Sequence, residues 1–458
     1  MLCGSVETKI ETARHQSYLL HLTLYPLRAM SFTYLQCIEE ACGRRQDPNQ
    51  DLHACEFCGG LLDVRYEFGS LEPEALRHTW RERRRSDEPM DRSGVWRFRE
   101  LIPFVDSSAK IISLSEGSTP QVEVPRSGEW AGPVRLTIKH QGANPTGSFK
   151  DTGMSACITR AVARGVCMVA CASTGNTSSS MAAYAARAGI KALIFVPYQQ
   201  ISAAKLAQAL DFGALVVEVG DNFDQAFCLL RRIAPELGLY LVNSINPFRI
   251  EGQKTIVFEI LEHRGWQPPD YIVCPGGNLG NSSAIGKGLR ELKDNGFIEK
   301  VPRVVIVQAA GANPFYQTLH AGAAELMTVD NPRTEATAIR IGHPANWKKA
   351  RRVLDWTGGF CESVTDEEIL VAKRVLAEDG VGCEPASAAS VAGVRKLVRA
   401  GRIERHAEVV CVLTGNQLKD TEYIMRHRSE GPESSQRLQV EPNLDALRRE
   451  LERALKGR

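Results

Sequence analysis

Three observations predict an α/β protein built from two doubly wound parallel-sheet subdomains, with a small cysteine module in front. Apolar strand-like runs alternate with amphipathic helices, turns rich in Gly, Ser, Thr and Asn stand at the ends of several of those strands, and four cysteines gather near the N-terminus. The strand-like runs fall near 134–141, 166–173, 190–197, 214–219, 239–244, 270–275, 303–309 and 407–413. Such alternation implies parallel strands covered on both faces, with ligands held at the carboxyl ends of the strands. The stretch from about 320 to 360 has no readable period, and the chain carries no internal repeat or low-complexity tract.

In chain order the organisation is an N-terminal extension of unassigned role (1–30), a cysteine-rich, zinc-ribbon-like module (31–68), a catalytic body of two subdomains with a cleft between them (69–430), and a C-terminal linker with an amphipathic helix (431–458). The extension contains Tyr18-Leu-Leu-His-Leu-Thr-Leu-Tyr25, too short for a secretory core and without a basic start or a small-residue cleavage site. Cys37, Cys42, Cys55 and Cys58 form two pairs with four and two intervening residues, separated by a polar, turn-rich segment. Two such knuckles suit tetrahedral thiolate coordination of one structural zinc, and metal-free thiols are the competing reading. Cys167, Cys171, Cys274 and Cys411 fall in apolar runs, where free thiols act as small buried hydrophobes. A disulfide framework is not expected, and the compartment is reducing and cytoplasmic.

After the module, 70–105 is charged and aromatic, and Trp80, Trp96 and Phe98 are expected to pack on the body. Arg81 to Arg85 read as a solvated helix face. Lys plus Arg is 56 against Asp plus Glu at 54, which gives no electrostatic case for nucleic acid or an acidic membrane. No apolar run approaches the 18 residues of a membrane span. At the other end, Leu444, Leu447, Leu451 and Leu455 stripe a helix rich in Arg and Glu, as core or subunit packing would require.

The chemistry sits in four turns. In Asn144-Pro-Thr-Gly-Ser-Phe-Lys150-Asp151, a strand near 134–140 gives way to a helix over 151–164, which places Lys150 at a strand-turn-helix junction. A lysine partly desolvated there and near a helix N-terminus loses its proton readily and can form an imine with a carbonyl cofactor, the chemistry of a pyridoxal phosphate lysine. A solvated lysine in a Pro/Gly turn is the plain alternative. Ser173-Thr-Gly-Asn-Thr-Ser178 offers N–H and hydroxyl donors to an anion, and Asn176 can hold a phenolic oxygen. Pro275-Gly-Gly-Asn-Leu-Gly-Asn281 precedes another helix, and its glycines let the backbone approach a phosphate. Leu413-Thr-Gly-Asn416 ends the last strand, where the hydroxyl of Thr414 can meet a pyridine nitrogen without charging it.

These motifs, with Asn-Pro-Phe-Arg-Ile-Glu-Gly-Gln-Lys-Thr at 246–255, Thr-Ala-Ile-Arg-Ile-Gly-His-Pro-Ala-Asn-Trp at 337–347 and Glu-Pro-Ala-Ser-Ala-Ala-Ser at 384–390, resemble the threonine synthase family. That family belongs to the fold-type II pyridoxal phosphate enzymes, the group of tryptophan synthase β. The resemblance runs from about residue 34 to 425, which makes Met30 a candidate start. It implies pyridoxal 5'-phosphate on Lys150, with the cofactor phosphate on Gly277, Asn278, Leu279, Gly280 and Asn281, its phenolic oxygen on Asn176 and its ring nitrogen on Thr414. It also implies conversion of O-phospho-L-homoserine and water to L-threonine and phosphate, the leaving phosphate being bound by Ser173, Thr174, Thr177, Asn243 and Arg249. An ion pair with Glu251 is the alternative for Arg249, and a turn amide for Asn243. Some members carry a comparable cysteine segment that runs into a Gly-Gly-Leu-Leu-x-Val sequence, matched by 59–64. The expected partner is a small phosphorylated amino acid, and the expected assembly is a homodimer.

Two departures bear on the substrate. Thr152 stands where the family has an arginine, and Asn416-Gln417 replaces a His-Gly pair. The alternatives are therefore β-replacement on O-phosphoserine, as in a cysteate synthase, or a catalytically silent relative that binds through its cysteine module.

Overall fold

The computed structural model describes residues 32–198, 203–220, 223–429 and 440–456, so the 1–30 extension lies outside the described residues. The cysteine module is built on β1 (Phe32–Cys37), β2 (Arg45–Gln46) and β3 (Leu62–Glu67), joined antiparallel in the order β2-β1-β3. Leu35 lies opposite Val64 in register, and both are fully buried. They share a core with Cys37, Cys55, Trp96, Phe104, Ala156 and Phe248, so the module is seated on the body. Trp80 and Phe98 are also buried, packed against Phe258 and Phe297.

The body follows as β4 (Gln121–Glu123), β5 (Arg135–His140), β6 (Met168–Ala172), β7 (Lys191–Val196), β8 (Leu215–Glu218), β9 (Tyr240–Leu241), β10 (Tyr271–Pro275), β11 (Arg303–Ala309), β12 (Phe360–Val364) and β13 (Glu408–Leu413). One sheet has the order β12-β11-β10-β13-β5-β4, parallel except for the antiparallel edge strand β4; the other, all parallel, has the order β8-β7-β6-β9. Period-two alternation divides the larger sheet cleanly. Val273, Val305, Val307 and Cys411 enter one core, while Ile272, Cys274, Ile306 and Val412 enter the other. Both faces are covered, as the continuous apolar runs require.

The chain enters the larger sheet, leaves it after β5 to build the whole smaller sheet, and returns after β9. The two crossings are helical and lie side by side: Lys150–Ala163 on the way out, Pro247–Gln253 on the way back. Glycine permits their contact. A Cβ on Gly252 would stand 1.9 Å from the carbonyl oxygen of Thr152, and one on Gly153 would stand 2.9 Å from that of Arg249. Each glycine therefore admits the backbone of the opposite helix at a distance no side chain tolerates.

The module also reaches the returning crossing through buried charge. Tyr66 Oη donates to Glu251 Oε2 at 2.7 Å, and Lys254 Nζ lies 2.6 Å from both Glu251 and Glu291. Lys287 Nζ donates to the carbonyl of Val64 at 2.8 Å and pairs with Glu291 at 2.5 Å. Two carboxylates thus meet two ammonium groups, Glu251 and Lys254 buried and Glu291 and Lys287 partly so, the arrangement in which removing one member is costly.

Four expectations need correction or limit. β12 lies in the 320–360 region's wake and was not expected, because Phe-Cys-Glu-Ser-Val is interrupted by Glu362, whose carboxylate is buried beside Lys396. Cys167 is exposed, one residue before β6, and is not part of a core. Arg83 turns away from the solvated face of helix Pro73–Arg83 to form a two-pronged pair with Glu100, while Arg81, Arg84 and Arg85 are exposed. Leu444, Leu447 and Leu451 lie on helix Leu444–Lys456 but are exposed, so they join no core of this chain; the Leu455 side chain lies outside the described residues. Among the described residues no helix is long and apolar enough to cross a membrane.

Candidate active site

A cavity of about 870 Å³ opens at the carboxyl ends of the strands. It brings together Lys150, Ser173, Thr174, Asn176, Thr177, Asn243, Arg249, the 277–281 loop and Thr414, every residue that sequence reasoning assigned to cofactor or substrate. Lys150 is the first residue of its helix, and the turn before it is pinned to the end of β13. Phe149 N–H donates to the carbonyl of Thr414 at 2.9 Å, and Asn416 N–H donates to that of Gly147 at 2.8 Å. Gly147 has φ +83°, the left-handed backbone that a side chain would strain.

Burial, reinforced by the Arg249 charge and opposed by Glu384, brings the Lys150 amine down to about 7. Near neutral pH a large share of it is therefore unprotonated. The neighbouring Asp151 is pushed up to about 6 by burial, although Thr146 and Ser180 hydroxyls donate to it at 2.6 Å each.

Two sets of anion-binding groups line the cavity. In the first, Leu279 adopts φ +62° and starts the helix Gly280–Asp294, so its free N–H groups and dipole are directed at the loop. Gly277 leaves space that a Cβ would fill, 3.1 Å from the Ala338 carbonyl oxygen, and both amide atoms of Asn281 are buried without a partner. The orphaned Asn281 Nδ2 donor, the helix N-terminus and the open backbone fit a cofactor phosphate. The second set combines the start of helix Asn176–Ala188 with Arg249. Arg249 is 1% exposed; its Nη1 donates to the carbonyl of Val242 at 3.0 Å, while Nε and Nη2 have no partner. It forms no pair with Glu251, which is taken by Lys254, Lys287 and Tyr66. Asn243 clamps the backbone of Ala172 from both sides, accepting from its N–H at 3.2 Å and donating to its carbonyl at 2.9 Å. It thereby fixes the Ser173 turn, and one N–H remains for another acceptor.

Sequence reasoning gave no role to Glu384 or Ser387. Asn176 Nδ2 donates to both Glu384 carboxylate oxygens, and Ser387 Oγ lies 3.1 Å from Thr414 Oγ1. The available signal was an acid placed directly before the Pro385 that starts a small-residue helix.

Residues 112–415 match the family described as pyridoxal-phosphate dependent enzyme. The threonine synthase of Methanocaldococcus jannaschii is 43% identical over 90% of this chain and 98% of its own length, and that of Methanosarcina acetivorans is 43% identical over 91% and 98%. The chain belongs to the threonine synthase family. Among solved structures, threonine deaminase isoform 2 of Solanum lycopersicum aligns with a TM-score of 0.59 at 18% identity, covering 79% of this chain and 90% of that one. Maize serine racemase aligns at 0.57 and 21% identity, covering 68% and 94%. At these identities the likeness concerns the fold, that of the fold-type II pyridoxal phosphate enzymes.

This threonine synthase family member also carries a second cluster, away from the cavity. The Sγ atoms of Cys37, Cys42, Cys55 and Cys58 all lie within 4.8 Å of one another, with Cys37 and Cys58 at 3.4 Å and Cys42 and Cys55 at 3.7 Å. A zinc with four thiolates at about 2.3 Å has sulfur-sulfur edges of about 3.8 Å, so the cluster fits that ion. Gly60 makes room, since a Cβ there would lie 3.3 Å from the sulfurs of Cys37 and Cys58.

Proposed function

We propose that the chain converts O-phospho-L-homoserine and water to L-threonine and phosphate. Arg249 carries this reading: a buried guanidinium with two partnerless nitrogens gives the cavity a second anion subsite besides the 277–281 loop. A substrate with its own phosphate requires such a subsite, and a simple dehydratase does not. Pyridoxal phosphate, when bound, supplies an electron sink for charge that develops beside the substrate amino group. The 277–281 loop would hold its phosphate, Asn176 its phenolic oxygen and Thr414 its ring nitrogen. Lys150, poised near neutrality, would take and return protons at the substrate Cα and Cβ. Arg249, Ser173, Thr174, Thr177 and the free N–H of Asn243 would bind and orient the departing phosphate.

Steady-state assay with O-phosphohomoserine and with O-phosphoserine, following phosphate and amino-acid products, tests the reading. Threonine and phosphate from the first support it; turnover of the second alone transfers the chain to β-replacement chemistry, and turnover of neither points to a binding protein.

The Lys150 value gives a pH dependence. Its folded-state pKa lies below the usual lysine range, so the amine is neutral above about pH 7 and protonated below it. Reconstitution of cofactor-free protein, followed by visible absorbance, is expected to slow about tenfold per pH unit below about pH 7, as the neutral fraction falls. A rate independent of pH between 5 and 7 would exclude the neutral Lys150 amine as the attacking group.

We infer that the four cysteines hold one structural zinc. Metal analysis of the purified protein is expected to give about one zinc per chain, and the Cys55→Ser, Cys58→Ser double variant is expected to lose it together with thermal stability. Unchanged metal content and Tm in that variant would leave a thiol-bearing loop with no metal role.

A further inference from the structure

Glu384 is fully buried yet borders the cavity, and the scheme above gives it no task. Its carboxylate accepts from Asn176 Nδ2 at 3.2 and 3.0 Å and from Thr414 Oγ1 at 3.3 Å. The space it occupies is reserved for it, since a Cβ on Gly415 would stand 2.4 Å from the carboxylate. Gly415 is held in turn, its N–H donating to Ser387 Oγ at 3.0 Å. The carboxylate therefore touches both groups read as contacts of the cofactor ring, from opposite sides of the topology: one at a helix start after β6, the other at the end of β13.

The chemistry of the partners makes this contact directional. In its ionised form, which burial disfavours, the Glu384 carboxylate only accepts hydrogen bonds, whereas an asparagine amide offers a donor at one end and an acceptor at the other. Opposite Glu384 the amide must present its nitrogen, and the second N–H of that nitrogen is then left for a further acceptor.

We propose that Glu384 is a positioning residue: it fixes the amide orientation of Asn176, so that this side chain meets the cofactor ring in a single hydrogen-bonding state. This rests on the reading of Asn176 as a ring contact. Outer partners of this kind typically change activity by 10- to 100-fold when removed.

The test uses the holo-protein with Glu384→Gln, equal in size but able to donate, and Glu384→Asp, shorter but still acceptor-only. In Glu384→Gln, borohydride is expected to fix the cofactor to Lys150 as in the wild type, while the visible absorption band shifts to shorter wavelength or weakens. The kcat for O-phosphohomoserine should fall roughly ten- to a hundredfold with KM within about twofold. Glu384→Asp should keep the wild-type band position and recover part of kcat. A Glu384→Gln variant with wild-type spectrum and kcat overturns the proposal, as does loss of kcat with an unaltered spectrum, which would assign Glu384 to packing. Borohydride labelling of a different lysine in the wild-type protein would overturn the pocket reading and this proposal with it.

Discussion

Lys150→Ala is expected to abolish turnover, by more than about 10³-fold, while leaving the fold intact. Two losses combine: the anchoring amine disappears, and so does proton transfer by a positioned base, alone worth about 10²- to 10⁴-fold. The stability side has an unusual sign. A lysine whose pKa is held down to about 7 by burial and by Arg249 is destabilised in its charged form in the folded state, so the protein folds against that cost wherever the unfolded chain would be protonated. Removing the amine should therefore leave the cofactor-free protein at least as stable as the wild type, with the Tm equal or higher below about pH 10. The wild-type peptide containing Lys150 should carry the cofactor after borohydride treatment. A variant that keeps turnover, or a label on another lysine, would displace Lys150 from the centre of the site.

Arg249→Ala should act on the substrate and spare the cofactor. Loss of a charge-assisted hydrogen bond in a desolvated site costs about 1.5–3 kcal/mol, so kcat/KM for O-phosphohomoserine should drop about ten- to a hundredfold or more. The visible spectrum should stay normal. Arg249→Lys should recover little, because a point charge does not reproduce the two-pronged guanidinium. Since two nitrogens of Arg249 lack partners in the folded chain, the alanine variant should lose only its packing and the Nη1 bond to the Val242 carbonyl. Parallel loss of cofactor binding would move Arg249 to the cofactor phosphate, and an unchanged kcat/KM would reopen the substrate assignment.

The legible parts of this chain are those where local chemistry and long-range structure agree. Lys150 and the 277–281 loop announce themselves because a glycine-rich turn between an apolar strand and a helix has few other uses, and the structure places both at one cavity. β12 escaped notice because a buried carboxylate answered by Lys396 from a distant helix looks polar when read alone. Glu384 escaped for the same reason in sharper form: its partners Asn176 and Thr414 lie 208 and 30 residues away, and no local pattern announces them. Arg83 and Cys167 show the limit at single-residue scale. A helix face or strand edge is set to within a residue or two by pattern, and one position decides whether a side chain meets water or a carboxylate.

The glycine-to-backbone contact between the two crossing helices turns the site into a ruler. Lys150 stands at the start of one helix and Arg249 on the other, and neither helix can slide without driving the carbonyl of Thr152 or Arg249 into its neighbour. The spacing of the two backbones that carry the amine and the guanidinium is thus held by main chain, which does not change rotamer. Under the function proposed above, a phosphorylated amino acid would lie between these two helices, and one a carbon shorter would be met only by a change in the reach of the Lys150 and Arg249 side chains. Mutating the side chains around the gap would then retune that reach, while the distance between the two backbones would stay as the glycines set it.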